Sequence, residues 1–208
     1  MHRIARAAVI LASLSTVIPS IAQSETAKIT VRVFNRSRVA ASVLAEGEKQ
    51  TQEILQRAGI EVKWLNCGHG AADCAKQPNP TNLILTILKK GSALGSQETL
   101  GLAAQDATGS GTYCYVFENK LNEISGQKQI PIARLLGYAM SHEIGHLLKG
   151  SHSHSPTGVM SGLWSQNELD QLARRALWFT QQDATGMQSR LSRFNGMQQT
   201  FAKLRSGQ

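Results

Sequence analysis

The chain of 208 residues is poor in cysteine, in aromatic residues and in acidic residues. It contains three Cys, its aromatic content is 5%, and it carries 14 acidic residues against 22 Lys and Arg. The basic residues are dispersed and form no long run, and few aromatic side chains accompany them, so we expect no nucleic-acid partner. The hydrophobic content of 41% is that of an ordinary globular chain, which excludes a disordered protein.

A long hydrophobic run is also missing. The N-terminal apolar stretch Ala7–Ile21 is interrupted by polar residues and proline, and it is short for a membrane span. It follows a basic segment and ends in small residues, which is typical of a secretory signal, although a retained anchor is the alternative. We therefore predict a signal peptide over residues 1–22, cleavage near Ala22–Gln23, and export to the periplasm or the extracellular space without stable membrane association.

The sequence after residue 22 shows no internal repeat, no long linker and no change of composition that would mark a second domain. The length suits one hydrophobic core. We expect a single catalytic domain over residues 23–195, a polar tail over residues 196–208 that frays, and a monomer.

The three cysteines separate into a pair and a single residue. Cys67 and Cys74 bracket a short Gly-containing loop and are the predicted disulfide, since export permits one. Cys114 lies in an apolar segment and is expected to be a free, buried thiol. His69 lies between the paired cysteines; exposure in a loop and a second metal site are its two interpretations.

Five segments have the apolar patterns of β-strands and predict one mixed sheet in an α+β fold. The strands are expected at Lys28–Phe34, Ile60–Leu65, Asn82–Leu88, Thr99–Ala104 and Gly111–Phe117. Helices are expected at Arg38–Ala58, Glu118–Gln127, Ile132–Lys149 and Ser165–Leu177, and from Thr180 onward. The first helix joins two strands, which favours parallel pairing between them, and the third strand is apolar enough to be central.

The predicted helix Ile132–Lys149 carries the pattern His-Glu-x-x-His at His142, Glu143 and His146. Positions i and i+4 lie on one face of a helix, so both imidazoles can bind one metal ion with the glutamate beside them. Neutral nitrogen ligands and an adjacent carboxylate are the groups that a zinc hydrolase needs. The pattern alone is weak, but further histidines follow it within a dozen residues.

This stretch resembles the zincin metallopeptidases, and among them the metzincin-like proteins. Their signature His-Glu-x-x-His-x-x-Gly-x-x-His precedes a turn with a methionine beneath the metal. Here Gly158-Val159-Met160 resembles that turn, but Lys149 occupies the position of the signature glycine, which follows at Gly150. The resemblance implies a zincin-like single domain, with the sheet packed on the active-site helix and C-terminal helices after it.

The displaced glycine leaves two candidates for the third metal ligand. Strict signature spacing selects His152. A closer resemblance, to a group of exported bacterial metzincin-like proteins with the pattern His-Glu-x-Gly-His-Leu-Leu-x-Gly and then His-Ser-x-x-Gly-Ile/Val-Met, favours His154. The surroundings of Trp64, of the two paired cysteines and of Phe179 also resemble that group.

The resemblance implies one Zn²⁺ ion, Glu143 as the general base and Met160 as a support beneath the ligands. It also implies a peptide or protein substrate that lies extended along an edge strand, for which Leu100–Ala104 is the candidate. Two other functions stay open at this point. One is a zinc-binding fold without peptidase activity, which would not need Glu143, and the other is a hydrolase of a non-peptide amide.

Overall fold

The computed structural model describes residues 26–68, 72–91, 99–150 and 154–206. The proposed signal peptide, His69 and His152 lie outside the described residues. Within the described ranges the chain forms five strands and five α-helices. The strands are β1 (Ala27–Asn35), β2 (Ile60–Asn66), β3 (Asn82–Leu88), β4 (Gly101–Ala104) and β5 (Tyr113–Phe117). The helices are α1 (Ala41–Arg57), α2 (Glu118–Lys128), α3 (Ile132–Lys149), α4 (Gln166–Ala173) and α5 (Gln181–Ser206).

The strands form one sheet in the order β2-β1-β3-β5-β4. β1 pairs in parallel with β2 and β3, and β3 pairs in parallel with β5, whereas β4 runs antiparallel to β5 at the edge. The prediction of a five-stranded mixed sheet is therefore confirmed, as are the parallel pairing across α1 and the central place of β3.

Alternation along the strands turns one face of the sheet toward the helices. Leu83, Leu85 and Ile87 of β3 are completely buried, and the residues between them are half-buried. β1 buries Ile29, Val31 and Val33 on the same face, and Arg32 between the two valines is also buried. The helices α3 and α1 pack against this apolar face of the sheet.

α3 is the central helix of the fold. It contacts α1, α2, α4, α5, β4 and β5, and most of its residues are buried. Pro131 precedes its first turn, where a missing N–H costs nothing. Gly150 ends it with a left-handed conformation, φ 66°, and donates its N–H to the His146 carbonyl. The predicted bounds Ile132–Lys149 are confirmed.

The C-terminal third differs from the sequence prediction in two places. The capping box of Ser165 and Glu168 forms as predicted, but α4 ends at Ala173 and not at Leu177, because Arg175 takes a left-handed backbone conformation, φ 59°. The segment predicted as a polar tail continues α5 to Ser206. That segment has no proline and contains good helix formers, so a polar composition did not prevent a helix.

The cysteines behave as predicted. Cys67 and Cys74 form a disulfide, and Cys114 is a buried free thiol in β5. None of the helices in the described ranges combines the length and the apolar character that crossing a membrane requires.

Candidate metal centre

Three imidazoles converge above the C-terminal half of α3. His142 and His146 lie one turn apart on α3, and His154 reaches them from the loop that follows the helix. The Nε2 atom of His146 lies 3.1 Å from Nε2 of His142 and 3.2 Å from Nε2 of His154. The structure thus brings together the two helix histidines and the favoured candidate for the third ligand.

The Nε2 atom of His142 carries a lone pair that points toward the other two rings. Its Nδ1 atom lies 2.7 Å from the Val159 carbonyl oxygen, which can only accept, so Nδ1 carries the proton. A carbonyl on the far nitrogen that fixes the tautomer in this way is the usual arrangement around a metal-ligating histidine. Trp164 donates its indole N–H to the same carbonyl at 3.3 Å, and its ring packs edge-on against His142.

The spacing of the nitrogens fits a tetrahedral zinc ion. Zn–N bonds of about 2.0–2.1 Å place two ligand nitrogens about 3.3 Å apart in that geometry. The observed separations of 3.1 and 3.2 Å lie close to that value. One N–H on Nε2 of His146 could be donated to only one of its two neighbours, whereas a shared cation would accept a lone pair from all three nitrogens. His142, His146 and His154 are therefore the residues that could hold the ion.

Burial disfavours the charged form of His142 and of His154. It lowers the pKa of His142 to about 3, with a smaller contribution from the neighbouring His146. The pKa of His154 is also lowered, by partial desolvation and then by the charge of Lys149. Because a metal ion binds the neutral imidazole, both histidines are in the binding form at neutral pH.

Glu143 lies beside the cluster and is almost completely buried, with 5% of its surface exposed. Burial raises the pKa of its carboxyl to about 8 in the metal-free chain. A divalent cation beside it would favour the carboxylate and lower that pKa. The carboxyl fits here because β4 presents Gly101 to it: a Cβ at that residue would lie 2.6 Å from Oε1 of Glu143.

Met160 lies beneath α3, in the turn that follows His154. It is completely buried, and a Cβ built on Gly145 would lie 2.5 Å from its Sδ atom. The turn is held to the segment before α5, since Val159 donates its N–H to the Trp178 carbonyl at 3.0 Å. Gly158 takes φ 80° in this turn, and Met160 lies against Gly145 of the helix that carries His142 and His146.

A cleft of about 380 Å³ opens over the three histidines and Glu143. Its lining includes β4 with the residues just before it, and also Leu163 and Trp164. Among the described residues, β4 pairs with β5 on one side only. All residues of the candidate edge strand Leu100–Ala104 except Ala104 line the cleft.

Sequence reasoning did not identify several residues that shape this site. The Val159 carbonyl and Trp164 orient His142, Gly101 makes room for Glu143, and the Gln105 side-chain amide donates to the His146 carbonyl at 2.7 Å. Only Gly101 had a visible signal, as a glycine within a strand, which often marks a close approach. The others act through contacts between distant segments, which local patterns do not record.

Comparison with known proteins finds crystal structures whose fold is similar to that of this chain. The chain is similar to the crystal structure of a zinc-dependent peptidase from Methanocorpusculum labreanum, with a TM-score of 0.51 and 16% identity, over 76% of this chain and 99% of that one. It is also similar to archaemetzincin from Methanopyrus kandleri, with a TM-score of 0.50 and 17% identity, over 83% of this chain and 99% of that one.

No protein-family model matches the chain, and no curated protein matches it in sequence. The two structural likenesses show the fold, so the α+β chain with its five-stranded mixed sheet has a fold that zinc-dependent peptidases use.

Proposed function

We propose that the protein is a zinc-dependent endopeptidase of the metzincin-like type that acts outside the cytoplasm. The observation that carries the proposal is the convergence of three imidazole Nε2 atoms beside a buried carboxyl, in a cleft with an open strand edge. The fold shared with zinc-dependent peptidases supports it. The disulfide between Cys67 and Cys74 supports export, because such bonds persist in oxidising compartments.

His142, His146 and His154 would hold one Zn²⁺ ion. Bound there, zinc would supply Lewis acidity to a water molecule and to the substrate carbonyl. The chain's own part is to hold the imidazoles in the orientation that binding needs. The Val159 carbonyl does this for His142 by setting its tautomer.

Glu143 is the proposed general base. It accepts a proton from the water that attacks the peptide carbonyl carbon and later delivers that proton to the leaving amine. Burial raises the pKa of this carboxyl in the metal-free chain, and bound zinc would favour the carboxylate form that a general base needs. The proposed function needs this residue for the reaction and does not need it for holding the metal.

The substrate backbone is proposed to bind along the edge of β4. An extended peptide can add to an open strand edge through main-chain hydrogen bonds. The small residues Gly101, Ala103 and Ala104 permit close approach of a second backbone. Leu163 and Trp164, which also line the cleft, are apolar, which favours apolar substrate side chains beside them.

Replacement Glu143→Gln tests the proposal. We expect the variant to bind zinc as the wild type does and to lose hydrolysis of an unfolded protein substrate by about 10²–10⁴-fold, the usual contribution of a general base. Zinc content by atomic absorption and cleavage by gel or mass spectrometry measure the two properties. Undiminished cleavage by the variant would refute the role of Glu143. Zinc binding without cleavage by the wild type would favour a binding module, or a hydrolase of another amide.

A further inference from the structure

Lys149 is the last residue of α3 and stands where the metzincin-like signature has glycine. Its ammonium group lies 2.6 Å from Oδ1 of Asp183 in α5 and 3.3 Å from the hydroxyl oxygen of Ser155. Ser155 directly follows His154 in the chain. The residue that departs from the signature therefore contacts the neighbour of the third candidate ligand.

Asp183 joins three separate segments through one carboxylate. Oδ1 accepts from Lys149 and, at 2.7 Å, from the hydroxyl of Ser155. Oδ2 accepts from the hydroxyl of Thr180 at 2.7 Å and from its N–H at 3.3 Å, at the start of α5. The Asp183 side chain is 1% exposed and that of Lys149 is 15% exposed, so water screens this ion pair little.

A backbone hydrogen bond also fixes the segment that follows His154. Ser155 donates its N–H to the Met160 carbonyl at 2.8 Å, which closes the turn that begins after His154. His154 is the most exposed of the three imidazoles, whereas His146 is buried and His142 is partly buried. The position of His154 therefore depends on the contacts of the next residue, Ser155, made through its side chain and through its backbone N–H.

We propose that Lys149 and Asp183 are positioning residues that hold His154 in place as the third zinc ligand by clamping Ser155 between α3 and α5. This inference rests on the proposed function, since it assumes that the three histidines bind zinc. An ordinary ion pair between helices would stabilise the fold without regard to the metal. This pair instead shares its carboxylate oxygen with the residue beside a ligand.

Zinc affinity of the purified full chain tests the clamp, measured by competition with a chromophoric chelator at a temperature where circular dichroism shows each variant folded. We expect Lys149→Met and Asp183→Asn each to raise the zinc Kd by about 10–100-fold, the usual effect of losing a group that supports a ligand. The double variant is expected to raise it little further, because the two residues act as one unit. Lys149→Arg, which keeps the ion pair, should restore most of the affinity.

The matched control is the ion pair of Arg175 and Glu46, which also joins distant segments, at 2.8 Å, and lies on the surface. Glu46→Gln is expected to leave the zinc Kd unchanged. Replacing zinc with cobalt adds a second measurement, because the visible spectrum of bound cobalt reports on its ligands and not on the stability of the fold. The spectrum of Lys149→Met should shift toward that of His154→Ala. Should Asp183→Asn fail to fold, Lys149→Met and Ser155→Ala carry the same comparison.

Two results would overturn the inference, and they are distinguishable. If the wild type and the folded variants bind zinc equally tightly with the same cobalt spectrum, the pair is only a structural ion pair and the proposed function stands. If the wild type itself binds no zinc, the proposed function fails and the positioning role fails with it.

Discussion

The three imidazoles of the candidate centre differ in how firmly the surrounding chain holds them. His142 and His146 are carried by a buried helix, and His142 is also fixed by the Val159 carbonyl. His154 sits on a loop, and Gly162 approaches it so closely that a Cβ there would lie 2.8 Å from its Nδ1 atom. The site therefore has two candidate ligands fixed on a buried helix and one whose position depends on loop structure.

Separate alanine variants of His152 and His154 test which one completes the site. Because Nε2 of His154 lies 3.2 Å from Nε2 of His146, His154→Ala should lower zinc occupancy strongly at micromolar free zinc. His152→Ala should leave occupancy near that of the wild type. Inductively coupled plasma mass spectrometry of dialysed protein measures both. An equal, small loss in the two variants would indicate a two-histidine site completed by another group.

The approach of β4 to α3 connects the sheet edge with the proposed general base. Gly101 begins β4, and a Cβ there would lie 2.5 Å from the Tyr115 carbonyl oxygen as well as 2.6 Å from Oε1 of Glu143. The carbonyl belongs to β5 and cannot move without disturbing the ladder. A larger residue must therefore displace either the strand edge or the carboxyl.

Gly101→Ala should lower both stability and turnover while the histidines keep their zinc. Overpacking of this kind costs roughly 1–3 kcal/mol of unfolding free energy, and we expect kcat to fall at least tenfold because Glu143 is displaced. Gly186→Ala in α5 is the matched control, since a Cβ there meets nothing within 4 Å; helix propensity predicts a gain of about 0.5–1 kcal/mol. Normal turnover by Gly101→Ala would show that the carboxyl has room to spare.

Elements with a strong local pattern could be predicted from the sequence. The bounds of α3 and β3 agree with their periodicity, proline and glycine signals, and the two helix histidines follow from the i, i+4 spacing. The end of α5 could not be predicted, because polar residues with good helix propensity support a helix and a frayed tail alike.

The supporting contacts of the site escaped prediction for another reason. The Thr180 to Asp183 cap was visible as a local pattern, but Asp183 uses its second oxygen on Lys149 and Ser155, which are 34 and 28 residues away. Likewise, the departure at Lys149 was visible and its partner was not. Spacing identifies groups on one element, whereas the groups that orient them come from other elements and require the fold.

For the whole molecule, the buried site links stability to pH. In the metal-free chain burial holds the pKa of His142 at about 3 and raises that of Glu143 to about 8, against ordinary values of 6.5 and 4.5. Below pH 6.5 the unfolded chain binds the His142 proton and the folded chain does not, so this group makes stability rise with pH. Above pH 4.5 the folded chain keeps the Glu143 proton and the unfolded chain does not, so that group makes stability fall with pH.

The two effects oppose each other between pH 4.5 and 6.5, and only the Glu143 effect continues from pH 6.5 to about 8. We expect zinc-free wild type to lose on the order of 2 kcal/mol of unfolding free energy over that upper window, from about 1.4 kcal/mol per pH unit. Urea unfolding at pH 6.5 and pH 8 measures the loss.

In Glu143→Gln the decline in unfolding free energy should be absent, because an amide does not titrate. Saturating zinc should remove it from the wild type, because the cation favours the carboxylate in the folded chain. A decline of equal size in Glu143→Gln would assign the pH dependence to other groups and would contradict a protonated, buried Glu143 in the zinc-free protein.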